Sequence, residues 1–409
     1  MELREQIEVN AKALILVLKS RDEEKRMKAA IELKQVVEVA SRTLSSETYL
    51  KLMNGLTPKL FALVQSSESH EQLGGISAMD QLIDVTSDDD EAKIIRFSNY
   101  LRNFFLKAAT SKLALERASK ALGHLVRAGG TLTVDFVDFE VNRALEWLQG
   151  ERKNDHHQEH RRLSACLIIK EIATNAPTLF YVYVPRFFDS IWVAIKDIKV
   201  EIRISATEAL QAVLILIVTR QARHRVQWYC IIYEQVQKGF SANQVESIHG
   251  SLMVIGELLQ HTGADFMVPR FKEVCGTVLK YKDSRDRLVK RTVSSLLPKL
   301  AKFCPDAFVR GYLDTCLDYL INAVSHSSER STAYLSLGKL SLAVGPHMVR
   351  QLSKIVNLAK EGMTVKRNKA FCPEALSCVS FLAQAVGESL VPYLDELIEP
   401  MMSGMRRFF

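Results

Sequence analysis

The sequence predicts an all-α fold, an α-solenoid of about nine two-helix repeats, and two patterns carry that prediction. A register of the form small-x-x-apolar-apolar-x-x-apolar recurs nine times along the 409 residues. Successive copies begin 40 to 47 residues apart, and each period contains two apolar stretches of helical length. The small positions are Ala30, Gly75, Ala118, Ala165, Ala206, Ser251, Val293, Ala333 and Ala375, of which only Val293 is not a small residue.

A period in the low forties with two helices is typical of HEAT and armadillo repeats. Each repeat of such an array buries its apolar face against its neighbours, so the core extends along the stack. We therefore expect one continuous HEAT/armadillo-like solenoid over residues 1–409. The predicted repeats are 7–40, 48–86, 94–128, 134–175, 178–219, 227–262, 266–304, 307–345 and 347–387, with a partial repeat at 390–409.

Each repeat is predicted to consist of a first helix, A, with large apolar and aromatic residues, and a second helix, B, with the register. A small residue where two helices cross lets the backbones approach to about 8–10 Å. In the clearest B helix, apolar residues recur at i, i+3, i+4 and i+7 from Ile202 to Val213. The predicted A helices include residues 49–64, 94–106, 137–148, 179–195 and 307–324.

Two segments of the sequence also resemble strands. Residues 132–136 alternate between apolar and polar side chains, but they continue into apolar positions at helical spacing, so we expect a loop that enters a helix. Residues 214–218 are rich in β-branched side chains. Because they continue the register of a B helix without a break signal, a helix is favoured there.

Composition and charge favour a protein-binding class over a nucleic-acid-binding one. The chain is 47% hydrophobic and 25% charged, as expected of an ordinary folded protein, and its net charge is +7. A nucleic-acid groove would need a continuous basic stripe with stacking aromatics, and the sequence does not establish one. The short basic clusters, interpreted as solvated helix faces, are Arg220, Arg223 and Arg225, then Arg285, Arg287, Lys290 and Arg291.

Cysteine usage and hydropathy predict an intracellular, soluble protein without direct membrane insertion. The amino terminus has no secretory apolar region, and the longest apolar runs, 13–18 and 213–218, are far shorter than the about 20 residues that span a bilayer. An odd number of cysteines without a Cys-x-x-Cys pair is typical of a reducing compartment. They are Cys166, Cys230, Cys275, Cys304, Cys316, Cys372 and Cys378.

The sequence predicts no enzyme: it offers no catalytic or cofactor-binding residue. It has no glycine-rich phosphate loop, no kinase motif, no Gly-x-Ser-x-Gly elbow and no His-Glu-x-x-His motif. His156 and His160 have the i, i+4 spacing of a zinc-binding pair, but no third ligand has a defined place. We therefore expect neither a metal nor a cofactor.

Several other side chains are interpreted as structural. Trp147, Trp192 and Trp228 lie among apolar neighbours on predicted helices, where packing between repeats is favoured over anchoring a partner. His249, at the start of a B helix, is expected to cap or pack. The charged tracts 87–91 and 151–162 are expected to be solvated connections between helices.

Specific runs of polar and aromatic residues lie between the register positions. They include 96–103 (RFSNYLRN), 138–148 (DFEVNRALEWL), 160–165 (HRRLSA), 187–194 (FFDSIWVA), 226–229 (VQWY) and 247–252 (SIHGSL). Unrelated HEAT repeats share apolar spacing, but they do not share such runs. The runs resemble the amino-terminal HEAT region of the TOR family of serine/threonine kinases, and the resemblance covers nearly the whole chain, in order.

The resemblance implies a scaffold in nutrient and growth signalling. In the family this region docks regulatory subunits, notably Raptor-like proteins, contacts other parts of TOR and supports a dimeric complex. The family is cytoplasmic and is also found at endomembrane surfaces and in the nucleus. Where some members carry a long insertion after His261, residues 262–265 pass straight on, as in the compact plant-type arrangement.

The family's kinase domain lies near the carboxyl end of much longer proteins, so no catalytic residue can be transferred to this chain. We expect either a fragment or a truncated product, with an apolar, sticky or frayed end near residues 390–402. The alternatives are a free-standing HEAT scaffold and a transport-receptor-like solenoid that binds cargo. The second explains the period but not the specific residues.

Overall fold

The computed structural model describes residues 2–87, 90–107, 111–150, 156–220, 223–364 and 371–405. Over these residues the chain forms α-helices and short 3₁₀ segments and no β-strand, which confirms the predicted all-α solenoid. Parts of the two predicted charged connections, 88–89 and 151–155, lie outside the described residues.

The chain divides into two compact units, Met1–Ala222 and Arg223–Phe409, each a stack of helices. That the two stacks form a single domain stays a prediction. The helices of the first unit are α1 (Glu2–Val17), α2 (Glu23–Thr43), α3 (Ser46–Val64), α4 (Ser69–Ile83), α5 (Asp90–Leu106), α6 (Lys112–Gly129), α7 (Val134–Gln149), α8 (His156–Asn175), α9 (Pro177–Phe180), α10 (Val184–Ser190), α11 (Trp192–Ile195) and α12 (Val200–Thr219).

The second unit continues the alternation of A and B helices. Its helices are α13 (Arg225–Ser241), α14 (Val245–His261), α15 (Ala264–Met267), α16 (Phe271–Lys280), α17 (Arg287–Phe303), α18 (Pro305–Gly311), α19 (Leu313–Ser325), α20 (Arg330–Val344), α21 (Leu352–Met363), α22 (Pro373–Val386) and α23 (Leu394–Met405).

Within each unit the helices form two layers. Each A helix packs on the B helix of its own repeat, as α3 packs on α4 and α13 on α14. Consecutive B helices also pack directly on each other, which gives a continuous B layer in each unit. These B helices are α2, α4, α6, α8 and α12 in the first unit and α14, α17, α20 and α22 in the second.

The nine register positions all lie in B helices, and all nine side chains or glycine positions are buried. The small residue faces the A helix of the same repeat. A Cβ atom on Gly75 would lie 2.8 Å from the backbone nitrogen of Val64 in α3. In the second unit Ser251 meets Gly239 of α13, and Ala375 meets Gly362 of α21. The predicted reason for the small residue, close approach of crossing helices, is therefore confirmed at these three crossings.

A second small position, which the sequence analysis missed, lies five residues after the first in three repeats. A Cβ on Gly256 would lie 2.9 Å from Leu296 in α17, and a Cβ on Gly338 would lie 3.0 Å from the Cα of Cys378 in α22. Gly123 meets Glu171 of α8 in the same way. These glycines let neighbouring B helices approach each other closely. Helix crossings between successive B helices therefore also require a small residue.

Two predicted A helices are interrupted. The predicted helix 179–195 consists of α9, a 3₁₀ segment (Tyr181–Tyr183), α10 and α11. Pro185 at the start of α10 has no backbone N–H to donate, and its ring would clash with a carbonyl one turn earlier in a continuous helix. The predicted helix 307–324 is broken at Tyr312, between α18 and α19. Both predicted ranges are helical, but the prediction of one continuous helix was wrong in each case.

Polar side chains close the connections from A to B helices. The fourth residue of α2, α4 and α12 donates back to carbonyl oxygens of the preceding loop. Arg26 Nη1 lies 2.8 Å from Ser20 O, Gln72 Nε2 lies 2.8 Å from Ser66 O, and Arg203 Nη1 lies 2.6 Å from Asp197 O. Because buried carbonyl groups need donors, these buried polar side chains stabilise the loops.

The two strand-like segments are helical. Residues 132–133 belong to a 3₁₀ turn (Gly130–Thr133) and 134–136 to α7, so the predicted loop was wrong; residues 214–218 lie in α12, as favoured. By length and composition α12 and the stretch 373–403 could each cross a membrane. Most of α12 is buried in the core, and the second stretch is interrupted at Gly387, whose φ is 51°.

The crossing at Gly75 generates a stability prediction. Gly75→Ala should destabilise the first unit by about 1–3 kcal/mol, because the new methyl group overpacks against the α3 backbone. Gly55→Ala is the matched control: a Cβ there meets nothing within 4 Å, so it should be neutral or stabilise through helix propensity. Urea unfolding of both variants measures the difference. Equal stability of the two would contradict the crossing argument.

Candidate protein-interaction surface

The charged side chains of neighbouring B helices pair with each other. In the first unit Lys34 Nζ of α2 lies 2.9 Å from Asp84 Oδ2 of α4, and Lys170 Nζ of α8 lies 2.9 Å from Glu208 Oε2 of α12. In the second unit Lys299 of α17 lies 3.4 Å from Glu257 of α14. These pairs join successive repeats, so the charges are already balanced within the stack.

His124 of α6 extends these contacts between B helices, because its ring lies between two carboxylates of α4. Its Nδ1 atom lies 2.9 Å from Asp80 Oδ1, and its Nε2 atom lies 2.8 Å from Asp84 Oδ1. Desolvation would raise the pKa of Asp84, but hydrogen bonds from Lys34 and His124 outweigh it and hold the pKa below its ordinary value. The ionised carboxylate of Asp84 therefore stabilises the contact among α2, α4 and α6.

The A helices of the third and fourth repeats present a different surface, built from arginine and aromatic side chains. We call Arg102, Phe139, Arg143 and Trp147 the arginine–aromatic surface. The guanidinium carbon of Arg102 in α5 lies 3.9 Å from the ring centroid of Phe139 in α7. The guanidinium of Arg143 lies 5.6 Å from Phe139 and 4.6 Å from Trp147. Alternating cations and rings thus connect two repeats.

A buried carboxylate holds this surface in place. Glu140 is fully buried; one of its oxygens pairs with Arg143, and the other lies 3.5 Å from Arg102 Nε. Burial raises the pKa of Glu140 and lowers the pKa of Arg143, although their attraction opposes both shifts. Arg143 Nη1 also lies 3.2 Å from the carbonyl oxygen of Arg102. One carboxylate therefore fixes two guanidinium groups and leaves one positive charge in excess.

Polar contacts extend this layer to the fifth repeat. Tyr183 donates a hydrogen bond to Asp138, and Arg186 Nη1 lies 2.6 Å from Asn142 Oδ1. Desolvation, followed by the contact with Asp138, raises the pKa of Tyr183 to about 12, so the phenol remains a donor at neutral pH. The A helices of three consecutive repeats are thus joined through their surface side chains.

The arginine–aromatic surface has side chains of the kind that bind proteins. The ring of Phe139 is 44% exposed although arginine lies against it. The side chain of Arg102 is 31% exposed although it pairs with Glu140. Arginine and large aromatics are the residue types enriched among binding hot spots. The sequence analysis quoted these residues but did not identify them as a surface, because the contacts between α5 and α7 join residues about 40 positions apart.

The tryptophans and histidines singled out in the sequence have mixed positions. Trp192 and His249 are buried, as expected for packing. Trp147 and Trp228 are half-buried, so the prediction of core positions was wrong for them. His160 is buried with Nε2 3.2 Å from Phe105 O, and the side chain of His156 lies outside the described residues. Among the described residues no cluster of three or more metal-ligating side chains occurs.

Of the seven residues in the basic clusters, Arg223, Arg285 and Arg287 are exposed, as expected of solvated faces, and three others make contacts within the fold. Arg220 donates to Thr178 and covers Tyr181, Arg291 donates to the carbonyl oxygen of Ser328, and Lys290 lies 3.4 Å from Glu329. All seven cysteines are free, and five are buried. Burial raises the pKa of Cys275, Cys316 and Cys378 to about 12, so these thiols are unreactive at neutral pH.

The last described helix, α23, carries an exposed apolar stripe. Leu394, Ile398 and Met402 recur at helical spacing along it, and Val391 precedes it. In the preceding repeat the corresponding apolar side chains of α21 are buried. The apolar character expected near residues 390–402 is therefore present.

The Lys34–Asp84–His124 contacts predict a pH-dependent contribution to stability. Asp84→Asn should cost about 1 kcal/mol or less at pH 7, since the side chain is 46% exposed and solvent screens the pairs. The pKa of Asp84 in the folded protein lies below its ordinary value of about 3.9. Its contribution to stability is therefore present above about pH 3.9 and is lost as the pH falls through the pKa of the folded protein. Urea unfolding at pH 7 and below pH 4 measures it, with Asp318→Asn as an exposed control in the interior of α19. A pH-independent difference would contradict it.

The α23 stripe predicts self-association through apolar contact. Replacing Leu394 and Ile398 by lysine should lower light scattering and dye binding without lowering the thermal unfolding temperature, because both side chains are exposed. Val245→Lys, an exposed apolar position outside the stripe, is the control. Unchanged light scattering in the double variant would show that the stripe does not mediate self-association.

Comparison with known proteins finds similarity to TOR kinases. The chain is 38% identical over 378 residues to the serine/threonine-protein kinase TOR of Arabidopsis thaliana and 40% identical over 377 residues to TOR of Oryza sativa subsp. japonica. Each match covers 92% of this chain and 15% of the relative. The chain thus spans about 15% of the length of these curated relatives. No protein-family model matches it.

Among solved structures, Kap121p bound to Nup53p has a similar fold, with a TM-score of 0.54 over 97% of this chain and 39% of that protein. The sequence identity is 15%, so this likeness concerns the fold alone. The TOR matches cover nearly the whole chain and lie outside the kinase domain. Along 92% of its length the chain is therefore similar to the amino-terminal part of TOR serine/threonine-protein kinases.

Proposed function

We propose that this chain is the scaffold region of a TOR-type kinase and docks a Raptor-like regulatory subunit during assembly of a nutrient- and growth-signalling complex. The similarity to TOR kinases along 92% of the chain supports the family part of this proposal. The helical solenoid supports the scaffold part, because stacked repeats present long binding surfaces. Protein kinase activity would belong to parts of the relatives that this chain does not match.

The observation that carries the docking proposal is the arginine–aromatic surface. In the first unit, charged side chains of neighbouring B helices form ion pairs with each other. Arg102 and Phe139 instead present a guanidinium group and an aromatic ring that a partner can contact. Both residues are held by fixed neighbours, Glu140 and Arg143, so little side-chain freedom is lost on binding. Preorganised arginine and aromatic groups of this kind favour affinity.

The family also suggests how the docked complex is used. We propose a cytoplasmic scaffold that reaches endomembrane surfaces and the nucleus and that contacts other parts of TOR, including a second copy in the full complex. A transport-receptor-like function is less well supported. Its support is the likeness to Kap121p, which at 15% identity concerns the fold and not the ligand.

Co-purification tests the docking proposal. The full 409-residue chain, tagged and mixed with the Raptor-like subunit of the same organism, should retain that subunit at micromolar concentration. Replacing Arg102 by glutamine and Phe139 by alanine together should weaken binding at least about tenfold, as expected for hot-spot residues. Light-scattering-coupled size exclusion measures the complex.

Arg350→Gln, the same loss of charge at an exposed arginine of the second unit, is the matched control and should leave binding unchanged. Circular dichroism of each variant establishes that the fold is retained. If the wild-type chain fails to retain the subunit, or if both variants bind equally well, the arginine–aromatic surface is not the docking site.

A further inference from the structure

The first two A helices, α1 and α3, enclose a groove that no internal contact of the fold fills. It has a volume of about 230 Å³. Ligand pockets for small molecules usually measure about 300–1,000 Å³, so the groove is better matched to side chains of a protein segment. Its apolar lining comes from Ala11 and Ile15 of α1 and from Leu52 and Leu56 of α3.

Gly55 forms part of this groove and is not explained by packing. Glycine inside a helix costs about 1 kcal/mol relative to alanine. Gly75, Gly338 and Gly362 offset that cost, because a Cβ on any of them would collide with a neighbouring helix. A Cβ on Gly55 meets nothing within 4 Å. The missing side chain instead keeps the groove open on the α3 side.

The rim of the groove is basic. Lys12 lies on α1, and Lys51 and Lys59 lie on α3, so lysines flank both sides of the apolar lining. Lys51 pairs with Glu47 of its own helix, whereas Lys12 and Lys59 have no ion-pair partner among the described residues. The single acidic residue of the lining, Glu8, is engaged in an interaction of its own. The rim therefore carries unbalanced positive charge.

We infer that the groove between α1 and α3 docks an acidic amphipathic helix of a protein partner. The apolar stripe of such a helix would enter over Gly55, and its flanking carboxylates would meet Lys12 on one side and Lys59 on the other. Leu16, one turn beyond Lys12 and 70% exposed, extends the apolar contact along α1. This mode, an amphipathic helix laid in a groove with complementary charge, combines apolar burial with electrostatic selection.

A designed peptide pair tests the inference on the full chain. The probe is a fluorescein-labelled helix of about 18 residues, five turns, with leucine along one face and glutamate on the other. The counter-probe carries lysine in place of every glutamate. The acidic peptide should bind in fluorescence anisotropy, more weakly as salt rises, and the basic peptide should bind at least about tenfold less tightly.

Variants of the chain distinguish the apolar contribution to peptide binding from the ionic one. Gly55→Leu fills the groove and should reduce binding of the acidic peptide about tenfold or more, without lowering the thermal unfolding temperature. Gly276→Leu is the matched control, because Gly276 is also an exposed helical glycine whose Cβ would meet nothing within 4 Å. Replacing Lys12 and Lys59 by glutamate should reverse the preference between the two peptides.

Loss of binding in Gly55→Leu with retention in Gly276→Leu supports the groove as the site. Three results would overturn the inference: no binding of the acidic peptide to the wild-type chain, equal binding of both peptides, or binding that survives Gly55→Leu. Binding of an unstructured polyglutamate as tightly as the amphipathic helix would reduce the effect to charge alone and would also refute the inference.

Discussion

The close crossing of A and B helices at one small residue per repeat is the constraint on which the rest of the structure depends. At Gly75, at Ser251 against Gly239 and at Ala375 against Gly362, no room remains for a larger side chain. The paired apolar positions that follow can then reach the A helix and bury fully. Because the crossing fixes the distance between the layers in each repeat, it also determines where the surface side chains of adjacent repeats meet.

Those surface contacts differ between the two layers. Along the B helices, lysines, carboxylates and histidines of successive repeats neutralise each other, as in Lys34–Asp84–His124 and Lys299–Glu257. Such a face offers a partner little unbalanced charge. Along the A helices of the first unit, Glu140 serves two arginines, and Lys12 and Lys59 have no carboxylate. The A side of the first unit therefore carries positive charge that these contacts do not neutralise.

The fold could be predicted from the sequence because its determinants are local. The period, the small residue and the i, i+3, i+4, i+7 spacing lie within one helix, and all nine register positions proved to be buried in B helices. The break before α10 had a local signal, Val184-Pro185-Arg186, that helical periodicity obscured. The surfaces could not be predicted, since Arg102 and Phe139, or Lys12 and Lys59, approach only after the repeats stack.

Glycine positions show how stacking and binding requirements can be distinguished in this chain. A helical glycine whose absent side chain makes room for another helix, as at Gly75 or Gly338, contributes to packing and needs no ligand to explain it. A helical glycine facing open space contributes nothing to packing and still carries the entropic cost of about 1 kcal/mol. Gly55 combines that cost with an apolar lining and an unbalanced basic rim. Gly276 shares the open space but serves only as a control, so it is the apolar lining and the basic rim around Gly55 that give the physical reason to look for a partner at this groove.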